Sequence, residues 1–188
     1  MSKKATISIP ILRLFEGYTL QPAVVLHLQK YWKLCRRFFE EADYALAAFF
    51  AITLIEEVGK VVVLGVSPDR AGDAKIHHRK YSHAVLYTLV VNSRVSRVYK
   101  EDEAKFAQWF KERKLFAMRN SSLYFEVVDD RAITPEQVMN REDAFLLVCI
   151  AGEVLADAQG KVMGTGPEEW ARLIAEVDAF RETHSVGS

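Results

Sequence analysis

Cysteine is scarce in this chain, and its scarcity excludes two architectures at once. Cys35 and Cys149 are the only two among 188 residues, and two thiols so far apart make neither a disulfide framework nor a C-x-x-C metal site. Both sit in apolar stretches, where a free thiol serves as a small buried hydrophobe. Long hydrophobic runs are missing too. The longest, around 45–55 and 84–91, fall well short of the roughly 20 residues that a membrane helix needs. The start Met1-Ser2-Lys3-Lys4-Ala5 lacks the apolar core of a secretion signal, so the expected location is the cytoplasm, with no membrane partner. No sign of charge is in excess, with 25 Lys+Arg against 25 Asp+Glu. No Glu-x-x-His occurs anywhere, which removes the motif by which helical bundles hold paired iron or manganese. A glycine-rich phosphate loop and a nucleophile elbow are also absent. Gly164-Thr165-Gly166 follows no strand and reads as a helix stop. There is no internal repeat and no low-complexity segment.

What remains is globular composition, half apolar and about a quarter charged, enough for one domain with a full core. The charges are unevenly spread. Residues 1–69 carry a net charge of +1, residues 70–119 of +7, and residues 120–188 of −8. The basic middle can attract phosphates even in a neutral protein, or the blocks can neutralise one another across the fold or a dimer.

Apolar periodicity predicts an all-α chain, an antiparallel bundle of five or six helices. An arm over 1–17 leads to a first helix opened by Pro22. That helix runs to about residue 40, with Val25, Leu28, Trp32, Cys35 and Phe39 spaced by three and four. A second spans about 41–64, either separate from the first or joined to it by a kink near 40–43. A loop follows over 65–72. A third helix is expected over about 73–99, a fourth over 101–120, and an extended connector over 123–128. Thr134-Pro135-Glu136 opens a fifth that continues to about 162, and a sixth occupies about 167–182. The domain thus covers 18–183, with a frayed tail at 184–188.

Three places carry candidate chemistry. In Glu56-Glu57-Val58-Gly59-Lys60, Glu56 falls on the stripe Ala45, Phe49, Ile52, Glu56, Gly59, Val63 that ought to be buried. A buried lone carboxylate costs several kcal/mol unless a cation or donor meets it. Lys60, four residues on, is within helical reach, and Gly59 allows a backbone or a ligand to come close. This group is either an internal ion pair that fastens two helices or part of a site. In Lys75-Ile76-His77-His78-Arg79-Lys80, with His83 beyond and Arg70 before, histidines stand among cations. Their neighbours disfavour protonation and suit a phosphate; a solvated helix start is the plainer alternative. In Arg119-Asn120-Ser121-Ser122-Leu123-Tyr124, the arginine either complements a helix dipole or clamps a phosphate with its fork of donors. A single metal ion held by Glu56 or Glu57 with His77 or His83 is a further alternative.

The run Asp43-Tyr44-Ala45-Leu46-Ala47 with Ile55-Glu56-Glu57-Val58-Gly59-Lys60 resembles the signature of the AbiV-type abortive infection family. His77-x-x-Lys80 and Leu123-Tyr124 resemble two further elements of it, in the same order, over about residues 40–130. The resemblance implies a member of the HEPN superfamily: a helical bundle, commonly a homodimer, often a metal-independent ribonuclease that needs no cofactor. The superfamily's nuclease motif is an arginine, a polar residue, and a histidine four to six residues after the arginine. Arg119 and Asn120 match its start, whereas Tyr124 stands where the histidine belongs, and a phenol with a reference pKa near 10 is a poor base at neutral pH. Either a histidine from the 77–83 cluster substitutes, or the protein binds without cutting.

The expectation is therefore a phage-defence protein that acts on RNA or ribosome-associated targets. Its site would join Glu56, Glu57, Lys60, His77, Lys80 and His83 with Arg119, Asn120 and Tyr124. Glu56 would orient Lys60 or His77, Arg119 and Lys80 would hold phosphate, and His77 would be the base. The rival is a non-catalytic interaction module that docks a phage or host protein.

Overall fold

A computed structural model of the chain describes residues 15–16, 19–66, 72–73, 75–77, 79–81, 84, 93–100, 102–161 and 166–185. Most of the expected arm lies outside them. Its end, Phe15–Glu16 (β1), pairs antiparallel with Thr19–Leu20 (β2). The first helix, α1, is Pro22–Glu40, and proline opens it because the first turn has no use for that amide hydrogen. Its buried side chains Leu28, Trp32, Cys35 and Phe39 keep the predicted spacing.

α1 and the second helix, Tyr44–Val66 (α2), are separate. Ala42 turns the chain with a φ of 60°, and the Asp43 carboxylate accepts the Leu46 amide at 3.0 Å, an N-cap that starts α2. α2 runs through Val66, two residues into the loop expected over 65–72, and residues 67–71 lie outside the described residues. Of the expected third helix, residues 77, 79–81, 84 and Ser93–Val98 (α3) are helical. Residues 73 and 75 lie in a tighter 3-10 turn, residues 76 and 99 are not helical, and residues 74, 78, 82–83 and 85–92 lie outside the described residues.

Two predicted helices are broken in two. The fourth divides into Glu103–Lys111 (α4) and Lys114–Ser121 (α5), because Arg113 takes the left-handed conformation with a φ of 57°. The fifth divides into Pro135–Val138 (α6) and Arg141–Lys161 (α7). There the Asn140 side-chain oxygen accepts the Asp143 amide at 2.8 Å, which starts a new helix. The expected connector is a hairpin instead. Glu126–Val128 (β3) pairs with Arg131–Ile133 (β4), and Asp129 and Asp130 both take positive φ, as a two-residue hairpin turn requires. The last helix, Pro167–His184 (α8), is tied down at its end. The His184 carbonyl accepts from Arg141 at 2.6 Å, and its ring packs on Phe39 and Phe180.

These elements form an all-α, HEPN-like bundle. α2 and α7 lie at its centre, packed on each other, with α1 against both and α8 against α7. Residues 146–159 of α7 are all buried, which requires small residues where neighbours crowd in. A Cβ on Gly152 would stand 2.6 Å from both Trp32 and Val177 side-chain carbons, so α1 and α8 close over this glycine. The buried Glu153 and Asp157 are met by donors: the Tyr99 hydroxyl at 3.1 Å and the Trp170 indole N–H at 3.3 Å. Cys35 and Cys149 are free and buried. Among the described residues, no helix is long and apolar enough to cross a membrane. Outside this core, α5 lies against α2 and brings the 113–121 region beside the Glu56 turn.

Candidate functional site

The site depends on a glycine. A Cβ on Gly59 would stand 1.9 Å from the Lys80 carbonyl oxygen and 2.6 Å from its carbonyl carbon. Glycine therefore lets the backbone at Lys80 lie directly on α2, and what it admits is a backbone rather than a ligand. One turn earlier on α2 is Glu56, only 5% exposed. Its Oε1 accepts from the Lys80 ammonium and from His77 Nδ1 at 2.8 Å, and its Oε2 accepts from the Tyr81 hydroxyl at 2.9 Å. From α5, Arg119 brings Nε to 3.9 Å from Oε2, an ion pair longer than a hydrogen bond. The Arg119 guanidinium also lies over the Phe49 ring, 5.5 Å from its centre. Three parts of the chain thus meet on one carboxylate.

The electrostatics follow from that crowding. Burial alone would raise the Glu56 carboxyl, but the Lys80 hydrogen bond and charge, with Tyr81 and His77, more than reverse it and hold the pKa below 4.5. The Tyr81 phenol is pushed far up, first by burial and then by the Glu56 charge, so it stays a donor. One carboxylate faces two permanent cations, Lys80 and Arg119, and a titratable ring. Positive charge is left over. The Arg119 Nε is buried against Glu56 and makes no hydrogen bond among the described residues, while a quarter of the side chain stays exposed and can meet an anion.

The stability consequence has a definite sign. Glu56 ionises more readily in the folded chain than in the unfolded one, so its contribution is full above a pH of about 4.5 and is lost as pH falls through the lower folded value. Urea unfolding of wild type and Glu56→Gln at pH 7, 5, 4 and 3 should show a larger acid loss in wild type than in the variant. Parallel curves would contradict it.

The expected residues are not all drawn together. Lys60 does not reach Glu56. Its ammonium lies 2.6 and 2.7 Å from the two oxygens of Glu57, a half-buried pair on the adjoining face of α2. Lys80 is consumed inside, 5% exposed and bound to Glu56, so holding an outside phosphate falls to other cations. The Asn120 carbonyl accepts the amides of Leu123 and Tyr124, each at 3.0 Å, and closes the turn after α5. Tyr124 is 63% exposed and is not a partner of Glu56. His83 lies outside the described residues. Glu56, His77, Lys80 and Arg119 do converge.

Three contributors were not foreseen from the sequence. Tyr81 is one, a phenol next to Lys80 on the buried side of its segment. The other two, Arg113 and Phe116, join Lys75, Ile76 and His77 in lining an open cavity of about 370 Å³ beside the cluster. The His77 and Phe116 rings lie 4.9 Å apart. The signal for Phe116 was the α5 spacing, since it lies three residues before Arg119 on one helical face; Arg113, left-handed and just ahead of α5, carried none.

The single-ion alternative meets an unsuitable donor set. Both Glu56 oxygens already bind donors, and a metal ion would add positive charge where it is in surplus. Among the described residues, no group of three or more His, Cys, Asp or Glu could hold one.

A family model described as AbiV, of the HEPN type, matches residues 19–156, well over half of the chain. No curated protein and no solved structure matches.

Proposed function

The chain belongs to the AbiV family of abortive-infection proteins, a HEPN-type phage-defence family, and from that premise we propose that it acts on RNA through the pocket around Glu56. The observation that supports this is the His77–Glu56–Arg119 arrangement: an imidazole and a guanidinium on the two oxygens of one buried carboxylate. With Nδ1–H donated to Glu56, the neutral ring keeps Nε2 as its free acceptor, and 43% of the side chain is exposed. Nε2 takes the proton of a ribose 2′-hydroxyl, and the 2′-oxygen attacks the adjacent phosphorus. The bond from phosphorus to the 5′-oxygen breaks, leaving a 2′,3′-cyclic phosphate and a 5′-hydroxyl that receives its proton from the imidazolium. Arg119 meets the charge that develops on the phosphate. His77 takes over the part that Tyr124, exposed and a weak base, does not fill.

The test is incubation of the purified protein with tRNA and total RNA, with and without chelator. Chelator-insensitive cleavage with cyclic phosphate ends, lost in His77→Ala, is the expected result. Intact RNA with no binding favours the second reading, a module that docks a phage or host protein. A specific feature supports that reading: Leu123, Tyr124, Phe125, Val127 and Val128 present an exposed apolar run along the hairpin.

A further inference from the structure

Next to the Glu56 cluster lies a cavity whose lining is chemically mixed in a particular way. Phe116 offers a ring 40% exposed, tilted by 38° against the His77 ring, and Ile76 adds a second apolar wall. Lys75 and Arg113, both exposed, supply two permanent positive charges to the same cavity. Neither cation has a carboxylate partner among the ion pairs of the described residues. Arg113 also immediately precedes α5, whose first turn no side chain caps, so free backbone amides stand beside it. At about 370 Å³ the space is at the small end of the range for ligand sites. An aromatic face beside two cations and uncapped amides, in a space of that size, matches a flat aromatic ring that bears a phosphate.

We infer that this cavity is a nucleotide subsite: a nucleobase stacks on Phe116, and its phosphate lies between Lys75 and Arg113. The inference rests on the RNA reading above only for the source of the nucleotide, since a free nucleotide and a nucleotide within a strand share this chemistry. His77 lines the cavity and also touches Glu56, so a strand with one base held here has its backbone at the imidazole. The cavity would then set which phosphodiester is presented, and Phe116, Lys75 and Arg113 act as binding residues apart from the reacting atoms.

Two probes separate the sources, 5′-AMP and a five-nucleotide single-stranded RNA, each titrated calorimetrically into the full chain at low salt. Phe116→Ala removes the stacking face from an exposed position. Arg113→Asn removes the charge but keeps a residue type that tolerates the left-handed backbone. Each substitution should weaken binding of at least one probe about tenfold, with the thermal midpoint unchanged. Loss for 5′-AMP identifies a free nucleotide as a sufficient ligand, and loss for the RNA alone identifies the strand. RNA bound equally well by wild type and both variants, with no variant weakening 5′-AMP either, overturns the subsite and leaves the RNA reading standing. The reverse, 5′-AMP bound and lost in Phe116→Ala while RNA is ignored, keeps the subsite and removes the RNA reading. Binding of neither probe at millimolar concentration overturns the subsite.

Discussion

Gly59→Ala is expected to destabilise the protein by about 3 kcal/mol and lower its thermal midpoint by about 6–12 °C. The sign is what makes this informative. In an ordinary helix interior the same change stabilises by roughly 1 kcal/mol, because alanine is the better helix former. Here the new methyl carbon would meet the Lys80 carbonyl at 1.9 Å, and a backbone atom cannot swing aside as a side-chain tip can. The backbone at Lys80 must lift away from α2 and take the side chains of Lys80, Tyr81 and His77 with it. Glu56 would then be a buried carboxylate deprived of its donors, the costliest way to break such a network. Differential scanning calorimetry checks the prediction, and a neutral or stabilising result would mean that the two backbones do not touch.

Arg119→Ala has the largest expected effect on activity. RNA cleavage should fall by about 100-fold or more, the usual loss when one donor to a developing oxyanion is removed, and phage defence should fall with it. Stability should change little. Glu56 keeps Lys80, His77 and Tyr81 as donors, and stacking of the guanidinium on the Phe49 ring is worth only about 1 kcal/mol. A variant that unfolds would recast Arg119 as a structural residue, and one that cleaves RNA as wild type does would remove it from the site.

Much of the fold was legible because it rests on local pattern. Leu28, Trp32, Cys35 and Phe39 on α1 repeat as a buried face must, and Pro22, Pro135 and Pro167 each open a helix. The breaks were of two kinds. The one before α2, left open between a gap and a kink, and the one before α7, missed, carry capping residues, Asp43 and Asn140, whose side chains accept amides three positions on. That signal was there to be read. The break at Arg113 had none, since arginine has no preference for the left-handed conformation it takes. Similarly, the β-prone run at 123–128 was visible, but its partner Arg131–Ile133 is short and ordinary.

The candidate site divides along the same line. The burial of Glu56 followed from a helical stripe, and so did the need for a partner. Which partner did not. Spacing of four along a helix names Lys60, but Lys60 has Glu57 one turn back and the two pair there. Glu56 is answered across the fold, by residues 21 to 25 positions away in sequence and by Arg119. The motif residues Glu56, Gly59, His77 and Lys80 therefore have a common structural cause: the glycine sets the distance and the carboxylate fastens what the glycine admits. His77 and Arg119 are the members with exposure left for a ligand.

The most direct measurement of that convergence is a double-mutant cycle on chelator-insensitive RNA cleavage, with His77→Ala and Arg119→Ala alone and combined. Two groups acting on one phosphate make a strongly non-additive pair, so the double variant should be no slower than the worse single one. Losses that simply multiply would place the imidazole and the guanidinium in separate sites.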